Sequence, residues 1–363
     1  MSGILLTLQQ YLHFLWYPLM HIEIVTTPNE SLKESGFGSI KACESVLDAI
    51  KRMGLRASLN ICKTKNDLDD IVKRKPDLVI LAVKYLPAIY NDKFCEKEIW
   101  LSDYFARHDI NFTGSTRETL KFDSNKVLAK THLKNKGIKT ANYFLATPGK
   151  YKAESELPIP FPLFLKPLDA ANGNGIDDLS FVHHFTDYEI KIASLYETYT
   201  QPILVEEYLD GREFTVSLIK TSNPKLVVSA VEVIPPTSTH GLRILGSQAK
   251  KDNSEELIEI VDEEVSRRVR ALAINAFTAL GVRDYGRIDI KTDNHGECYF
   301  MEANLVPGMT YGSSYFPMAC KIAHELSYDK VIKLLLTGGL ARTCSTVPPT
   351  IYPDSDKKTL TIM

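Results

Sequence analysis

The chain has 363 residues, 24% of them charged and 44% hydrophobic, with a formal net charge of −2. That length allows two or three domains with sizeable cores, and the near-neutral balance gives no footprint for nucleic acid or an anionic membrane surface. Six scattered cysteines without a CxxC pair (Cys43, Cys62, Cys95, Cys298, Cys320, Cys344) read as reduced thiols of a cytoplasmic protein, not as a disulfide frame or a zinc site.

Residues 1–19 are apolar and carry no Lys or Arg, but Gln9, Gln10, His13 and Pro18 interrupt them. Such a run suits neither a membrane span nor a secretory signal with its basic start. It reads as an N-terminal extension, with a membrane-surface anchor as the alternative, and the fold is expected to begin near Met20. HIEIVTT (21–27) predicts a strand, followed by the loop PNESLKESGFG and the helix SIKACESVLDAIKRMG, stopped by Gly54. ASLNICK predicts a second strand, LDDIVKRK a short helix, and DLVILAV a buried strand, apolar nearly throughout. A helix around EKEIWLSDYFARHD and a strand INFTG complete an open α/β domain over residues 20–115. GFG (36–38) lacks a third glycine and there is no GxxxxGK[ST], so neither a dinucleotide fingerprint nor a P-loop is present.

Residues 116–202 read as a smaller α+β unit. STRETLKFDSNKVLAKTHLKNKG predicts one helix ending at Gly137, and TANYFLAT and PFPLFLKPL predict strands. A glycine-rich loop, AANGNGIDD, leads to the strand LSFVH and the helix FTDYEIKIASLYETY. Loops of Gly and Asn present backbone N–H groups that can cover phosphates, although most such turns are only turns. A third unit spans residues 203–340. ILVEEYLDGREFTVSLIK predicts two strands about a break at DGR. VVSAVEVIPP, a polar loop through RILGSQAKKDN and a long helix over residues 255–280 follow. GRIDIKTDNHGECYFMEANLVPG (286–308) alternates on either side of a DNHG turn and predicts a hairpin. Asp289 lies in its first strand; Glu302 and Asn304, two apart in the second, face the same way. An oxygen-only set of this kind suits Mg2+; a solvated polar face is the alternative. PGMTYGSSYFPMACKIAHEL reads as a loop into a helix and YDKVIKLLLTGGL as the last helix, before a loose Ser/Thr/Pro-rich tail over residues 341–363.

Four features fall in order: Lys126 in DSNK, Lys166 before the glycine-rich loop, EEYLDGREFTV, and GRIDI with MEANLVPGMT. Each alone is bland, since a lone lysine is ordinarily a surface residue. Together they resemble the ATP-grasp superfamily, and within it the D-alanine–D-alanine ligase family, over residues 20–340. The resemblance implies an α/β ATP-grasp fold: an N-terminal open α/β domain followed by two α+β subdomains that clamp ATP. It implies that Lys126 and Lys166 hold the nucleotide phosphates, and that Asn172, Gly173 and Gly175 lie in the loop over them. Glu206, Glu207, Tyr208 and Leu209 would line the adenine pocket, with backbone contacts from Tyr208 and Leu209, and Glu213 would take the ribose hydroxyls. Lys250, in SQAK, aligns with a mobile-loop lysine that reaches the γ-phosphate; the alternative is an exposed loop lysine. Asp289, Glu302 and Asn304 would bind two Mg2+ ions, for which Mn2+ could substitute. Arg287 would stabilise the developing oxyanion, and Gly308 with Ser313 or Ser314 would seat the second substrate.

The implied reaction is ATP-dependent joining of a carboxylate to an amine through an acyl phosphate, with amino acids or small carboxylates as substrates. The glycine-rich loop and the loop over residues 237–250 would exclude water. The resemblance also implies a homodimer, and no nucleic-acid or membrane partner is expected. Three segments depart from the D-alanine ligase pattern. Gly36 and Phe37 stand where the family's N-terminal Glu should fall, with Glu30 and Glu34 nearby; VKYLPAIYNDKFCEKEI replaces HGxxGEDG; and TYGSSYF is longer than T-S-H-S-L. All three lie on the amino-acid side. The reading is therefore a ligase with an altered acyl-substrate pocket. A true D-alanine–D-alanine ligase of the cell wall, another carboxylate-activating ATP-grasp reaction and a non-catalytic ATP-binding module are the alternatives.

Overall fold

The structure is a computed structural model that describes residues 20–28, 37, 39–87, 98–168, 173–221, 225–237, 244–246, 252 and 254–342. Near its start a parallel sheet forms in the order β2-β1-β3, from β1 (His21–Thr26), β2 (Arg56–Ile61) and β3 (Leu78–Leu81). Two helices connect these strands, α1 (Ile40–Arg52) and α2 (Lys65–Arg74). Each begins where a hydroxyl can satisfy a free backbone N–H: Ser39 accepts from Ala42, and Thr64 forms a capping box with Asp67. β1 is central and buried, yet carries Glu23. Its carboxylate is held by Arg74 at 2.6 Å and Asn60 at 2.6 Å, which makes its burial tolerable.

The segment that replaces HGxxGEDG forms a strand pair, β4 (Tyr85–Pro87) with β5 (Glu98–Trp100), before a short helix α3 (Leu101–Arg107). The helix expected around EKEIWLSDYFARHD therefore gives Glu98–Trp100 to a strand. INFTG makes only an isolated bridge, Val79 to Phe112.

The single helix expected before Gly137 is two, α4 (Arg117–Ser124) and α5 (Lys126–Asn135). Asn125 breaks it with an extended backbone, and its side chain caps α5 by accepting from the Leu128 N–H at 2.8 Å. The break sets Lys126 at the first turn of α5. An antiparallel sheet follows in the order β6-β9-β7-β8, built from β6 (Tyr143–Ala146), β7 (Leu163–Pro167), β8 (Phe181–Val182) and β9 (Ile203–Glu207). Helix α6 (Phe185–Tyr199) packs on it with Tyr188, Ile192 and Leu195 to form a core of its own.

The last sheet is antiparallel in the order β12-β11-β10-β13-β14. Its strands are β10 (Glu213–Lys220), β11 (Leu226–Ile234), β12 (Glu256–Glu259), β13 (Tyr285–Thr292) and β14 (Cys298–Asn304). The long helix expected from residue 255 begins only at α7 (Glu263–Ala279). Residues 256–259 pair with β11 instead, and Asp262 caps α7 by accepting from Glu264 and Val265. Helices α8 (Tyr315–His324) and α9 (Tyr328–Leu340) close the fold. One continuous core joins the first sheet to the last, through residues such as Ile22, Leu78, Phe214, Phe316 and Leu336. Among the described residues no helix is long and apolar enough to cross a membrane.

Candidate active site

The hairpin β13–β14 brings its polar residues to one face by register. Asp289 pairs with Glu302 and Arg287 with Asn304, while Thr215 and Ser217 of β10 pair with Asp289 and Arg287 from the other side. A β-bulge follows Asp289, where Ile290 pairs with Phe300 and Met301 is the extra residue. Side chains of a regular strand alternate, so without this insertion Glu302 would share the buried face of Phe300. The bulge turns Glu302 and Asn304 to the face of Asp289.

Asp289 is tightly held. Its Oδ1 accepts from Thr215 Oγ1 at 2.7 Å and Arg287 Nε at 2.9 Å; its Oδ2 accepts from Arg287 Nη2 at 2.9 Å and Asn304 Nδ2 at 3.0 Å. Burial works against the Arg287 charge, but Asp289 more than offsets it and keeps the guanidinium protonated more firmly than usual. The Tyr315 ring lies 5.3 Å from the guanidinium carbon, and its hydroxyl donates to Glu255. Two facing carboxylates with an adjacent amide fit a hard cation that retains water. Among the described residues no three His, Cys, Asp or Glu side chains form a ligand group.

Lys126 and Lys166 line the same cavity as Asp289 and Glu302. Lys126 Nζ is 3.7 Å from Glu302 Oε2. Lys166 emerges from β7 with only 5% of its surface exposed, and its Nζ is 2.6 Å from Glu206 Oε2. The other oxygen of Glu206 is 2.7 Å from Lys130 Nζ, which also donates to the Phe300 carbonyl at 3.3 Å. Burial alone would raise the Glu206 pKa, but the two ammonium groups reverse this and hold it at about 2. Burial pulls Lys130 below the ordinary lysine value, against the pull of Glu206. Lys130 was not singled out in the sequence, although its spacing of four from Lys126 puts both on one helix face.

The strand expected to line an adenine pocket divides its side chains. Glu206 turns inward between the lysines. The Glu207 carboxylate accepts from Asn142 N at 2.8 Å and Asn142 Nδ2 at 3.0 Å, which ties β9 to the start of β6. The Tyr208 N–H donates to the Pro162 carbonyl at 3.1 Å. The Tyr208 ring packs 4.0 Å from Phe181. Leu209 lines the cavity, as does Glu213, which Lys291 approaches at 3.6 Å. Thr215, Tyr315 and Lys291 were also not foreseen; Thr215 and Lys291 follow Glu213 and Asp289 at strand spacing, which is the signal that could have found them.

Gly173 and Asn174 line the same cavity, with Gly173 at φ +70°. Gly175, at φ +77°, leaves no room for a Cβ, which would lie 2.6 Å from Pro167 Cγ. Ile244 and Leu245 close another side, and a Cβ on Gly246 would lie 2.7 Å from the Ile176 carbonyl oxygen. The two loops expected to act as lids therefore meet at Gly246 and Ile176. Asn172, Lys250, Glu30, Glu34 and Gly36 lie outside the described residues. Gly308, Ser313 and Ser314 do not line this cavity, and neither do Gly175, Arg287 and Asn304. Ser314 Oγ accepts from the Thr310 N–H at 2.8 Å and so folds its own loop.

Residues 132–337, more than half of the chain, match the family model described as D-ala D-ala ligase C-terminus. A D-alanine–D-alanine ligase of Carboxydothermus hydrogenoformans is 29% identical over 306 residues, which cover 81% of this chain and 92% of that protein. Another from Desulforamulus reducens is 31% identical over 242 residues, covering 63% and 74%. An uncharacterised protein of Sinorhizobium fredii, y4sG, is 28% identical over 235 residues, covering 62% of this chain and 66% of that one. Among solved structures, the D-alanine–D-alanine ligase of Bacillus anthracis complexed with ATP superposes with a TM-score of 0.65 at 21% identity, covering 89% of this chain and 98% of that one.

Proposed function

Because the chain belongs to the D-alanine–D-alanine ligase family of the ATP-grasp fold, we propose that it joins an amino acid or small carboxylate to an amine through an acyl phosphate. It is an ATP-dependent, ADP-forming carbon–nitrogen ligase of the D-alanine–D-alanine ligase type. The observation that carries the reading is one cavity lined both by Lys126 and Lys166 and by Glu213, Asp289 and Glu302. Cations suited to phosphates face carboxylates suited to a ribose and a metal, as an ATP site requires.

In this reading Lys126 and Lys166 hold the ATP phosphates, and Glu213 exchanges Lys291 for the ribose hydroxyls. Asp289, Glu302 and Asn304 hold Mg2+, which supplies charge neutralisation to the transferred phosphoryl group. The acyl substrate's carboxylate oxygen attacks the γ-phosphorus and ADP leaves. The amine then attacks the acyl carbon and phosphate leaves. Arg287, already charged and oriented by Asp289 and Tyr315, faces the oxyanion. The lids that meet at Gly246 and Ile176 keep water from the acyl phosphate.

The acyl side supports a substrate other than the family's usual one. Phe37, which with Gly36 stands where the amine-anchoring Glu is expected, is buried in the core, and its N–H donates to the Ala82 carbonyl at 3.1 Å. Lys84, in the segment that replaces HGxxGEDG, is buried and lies 3.0 Å from Asp123. We place the protein in the cytoplasm, as a homodimer on the family likeness. Burial pushes the Cys43 and Cys62 thiols up to about 12, which makes them inert packing groups.

The test is phosphate release from ATP and Mg2+ with paired D- and L-amino acids, dipeptides and small carboxylates, and mass spectrometry of the products. Release with a pair other than D-alanine and D-alanine is expected. Release with D-alanine alone would identify the cell-wall reaction and overturn the altered pocket. ATP binding without turnover on any pair would favour a non-catalytic module.

A further inference from the structure

Lys166, the lysine read above as a phosphate ligand, does not stand alone. It is 2.6 Å from Glu206, a carboxylate with only 1% of its surface exposed. An isolated buried Lys–Glu pair is neutral and tight, and such a lysine offers a phosphate little net charge. Here the carboxylate is shared. Each oxygen meets a different ammonium group, Oε1 that of Lys130 and Oε2 that of Lys166. Two cations to one anion leave one positive charge in excess, and the two lysines differ in access. Lys130 is fully buried and does not reach the cavity, whereas Lys166 lines it.

We propose that Lys130 is a positioning residue that divides the Glu206 charge, so that the surplus positive charge of the triad is delivered through Lys166 to an anionic ligand in the cavity. Lys130 cannot swing to the ligand itself, because its Nζ also donates to the Phe300 carbonyl and packs over the Phe300 ring. Phe300 sits beside the bulge that presents Glu302. Lys130 thus joins the phosphate side of the cavity to its metal side. The depressed pKa of Glu206 agrees with a carboxylate that stays ionised between two ammonium groups.

This inference rests on the nucleotide reading of the cavity, and a charge-restoring double variant tests it separately. Lys130→Met leaves a neutral Lys166–Glu206 pair. Lys130→Met with Glu206→Gln removes one charge of each sign and restores the surplus on Lys166. Binding of ATP with Mg2+, without acyl substrate, is measured by calorimetry for wild type, K130M and K130M/E206Q, with a thermal melt of each. A Kd raised about tenfold in K130M and largely recovered in the double variant is expected, a change of about 1.4 kcal/mol. The melts do not recover in parallel, because packing around position 130 is lost in both. An unchanged Kd in K130M, or a further rise in the double variant, would overturn the proposal and leave the nucleotide reading in place. Absence of ATP binding by the wild type would overturn both. If K130M does not fold, K130Q and K130Q/E206Q are read in the same way.

Discussion

At the scale of single residues, the site is a set of charges whose partners are chosen by packing. Glu302 faces Asp289 across the hairpin and is within reach of Lys126. Glu302→Ala should keep the fold, since the side chain is on the open face, and cut Mg2+-dependent turnover by at least about 100-fold, given what even outer ligands contribute. Near-normal turnover would remove Glu302 from the metal set. Glu206 makes a different prediction, one of stability. Its folded pKa, about 2, lies below the ordinary 4.5, because two ammonium groups outweigh its burial. Its ionisation therefore stabilises the fold fully above the ordinary value, and this contribution is lost as pH falls toward the folded one. Melts of wild type and Glu206→Gln should differ by a constant amount at neutral pH and converge as pH drops below about 4.5. A gap that widens in acid would mean the carboxylate is not held ionised in the native state.

At the scale of elements, the sequence carried the strands that frame the site and missed how they are broken. Alternation on both sides of DNHG placed Asp289, Glu302 and Asn304 on a hairpin. A pattern of period two cannot reveal an inserted residue, so the bulge at Met301 was invisible, although Glu302 reaches its face through it. The break at Asn125 was hidden because helical spacing runs straight through it; only a cap reading of Asn125 with Leu128 would have found it. Residues 256–259 were read into a helix because their partner, β11, is distant in sequence. The choice of Glu206 as the anion between two lysines rests on contacts across 40 and 76 residues, beyond any local signal. The DGR break was legible as a turn, and the structure shows why glycine sits there. Gly211 N donates to the Thr292 carbonyl at 3.0 Å, and Arg212 N donates to Thr292 Oγ1 at 2.9 Å. A Cβ on Gly211 would lie 2.3 Å from Thr292 Oγ1 and 2.5 Å from two carbonyl oxygens. Gly211→Ala should cost about 1–3 kcal/mol in urea unfolding, as overpacking does. It should also raise the KM for ATP, because the turn carries the chain from Tyr208 to Glu213. A variant with wild-type stability would show that β13 does not fix the turn.

At the scale of the molecule, the central sheet has a core of its own, while the first and last sheets share one. The shared core fixes how the N-terminal sheet meets the hairpin, and one carboxylate concentrates that connection. Asp123, in the last turn of α4, receives Lys84 from beyond β3 at 3.0 Å on Oδ1. Its Oδ2 accepts the N–H groups of Leu305 at 2.5 Å and Val306 at 3.3 Å, directly after Asn304. The pair is largely buried, with side-chain exposures of 5% for Lys84 and 15% for Asp123. Removing one partner of such a pair costs far more than the pair contributes, because the remaining charge is left in a poor solvent. Asp123→Ala should therefore lose about 3 kcal/mol of stability and lower kcat, because the backbone that follows Asn304 loses its anchor. Asp123→Asn, which keeps an acceptor for the two N–H groups, should recover kcat more than stability. Lys84→Met should lose stability alone, and the double variant K84M/D123A should lose much less than the sum of the two, since residues in one network do not act independently. Additive losses would mean that Lys84 and Asp123 act separately, and that the segment after β3 and the β13–β14 hairpin are not coupled through this carboxylate.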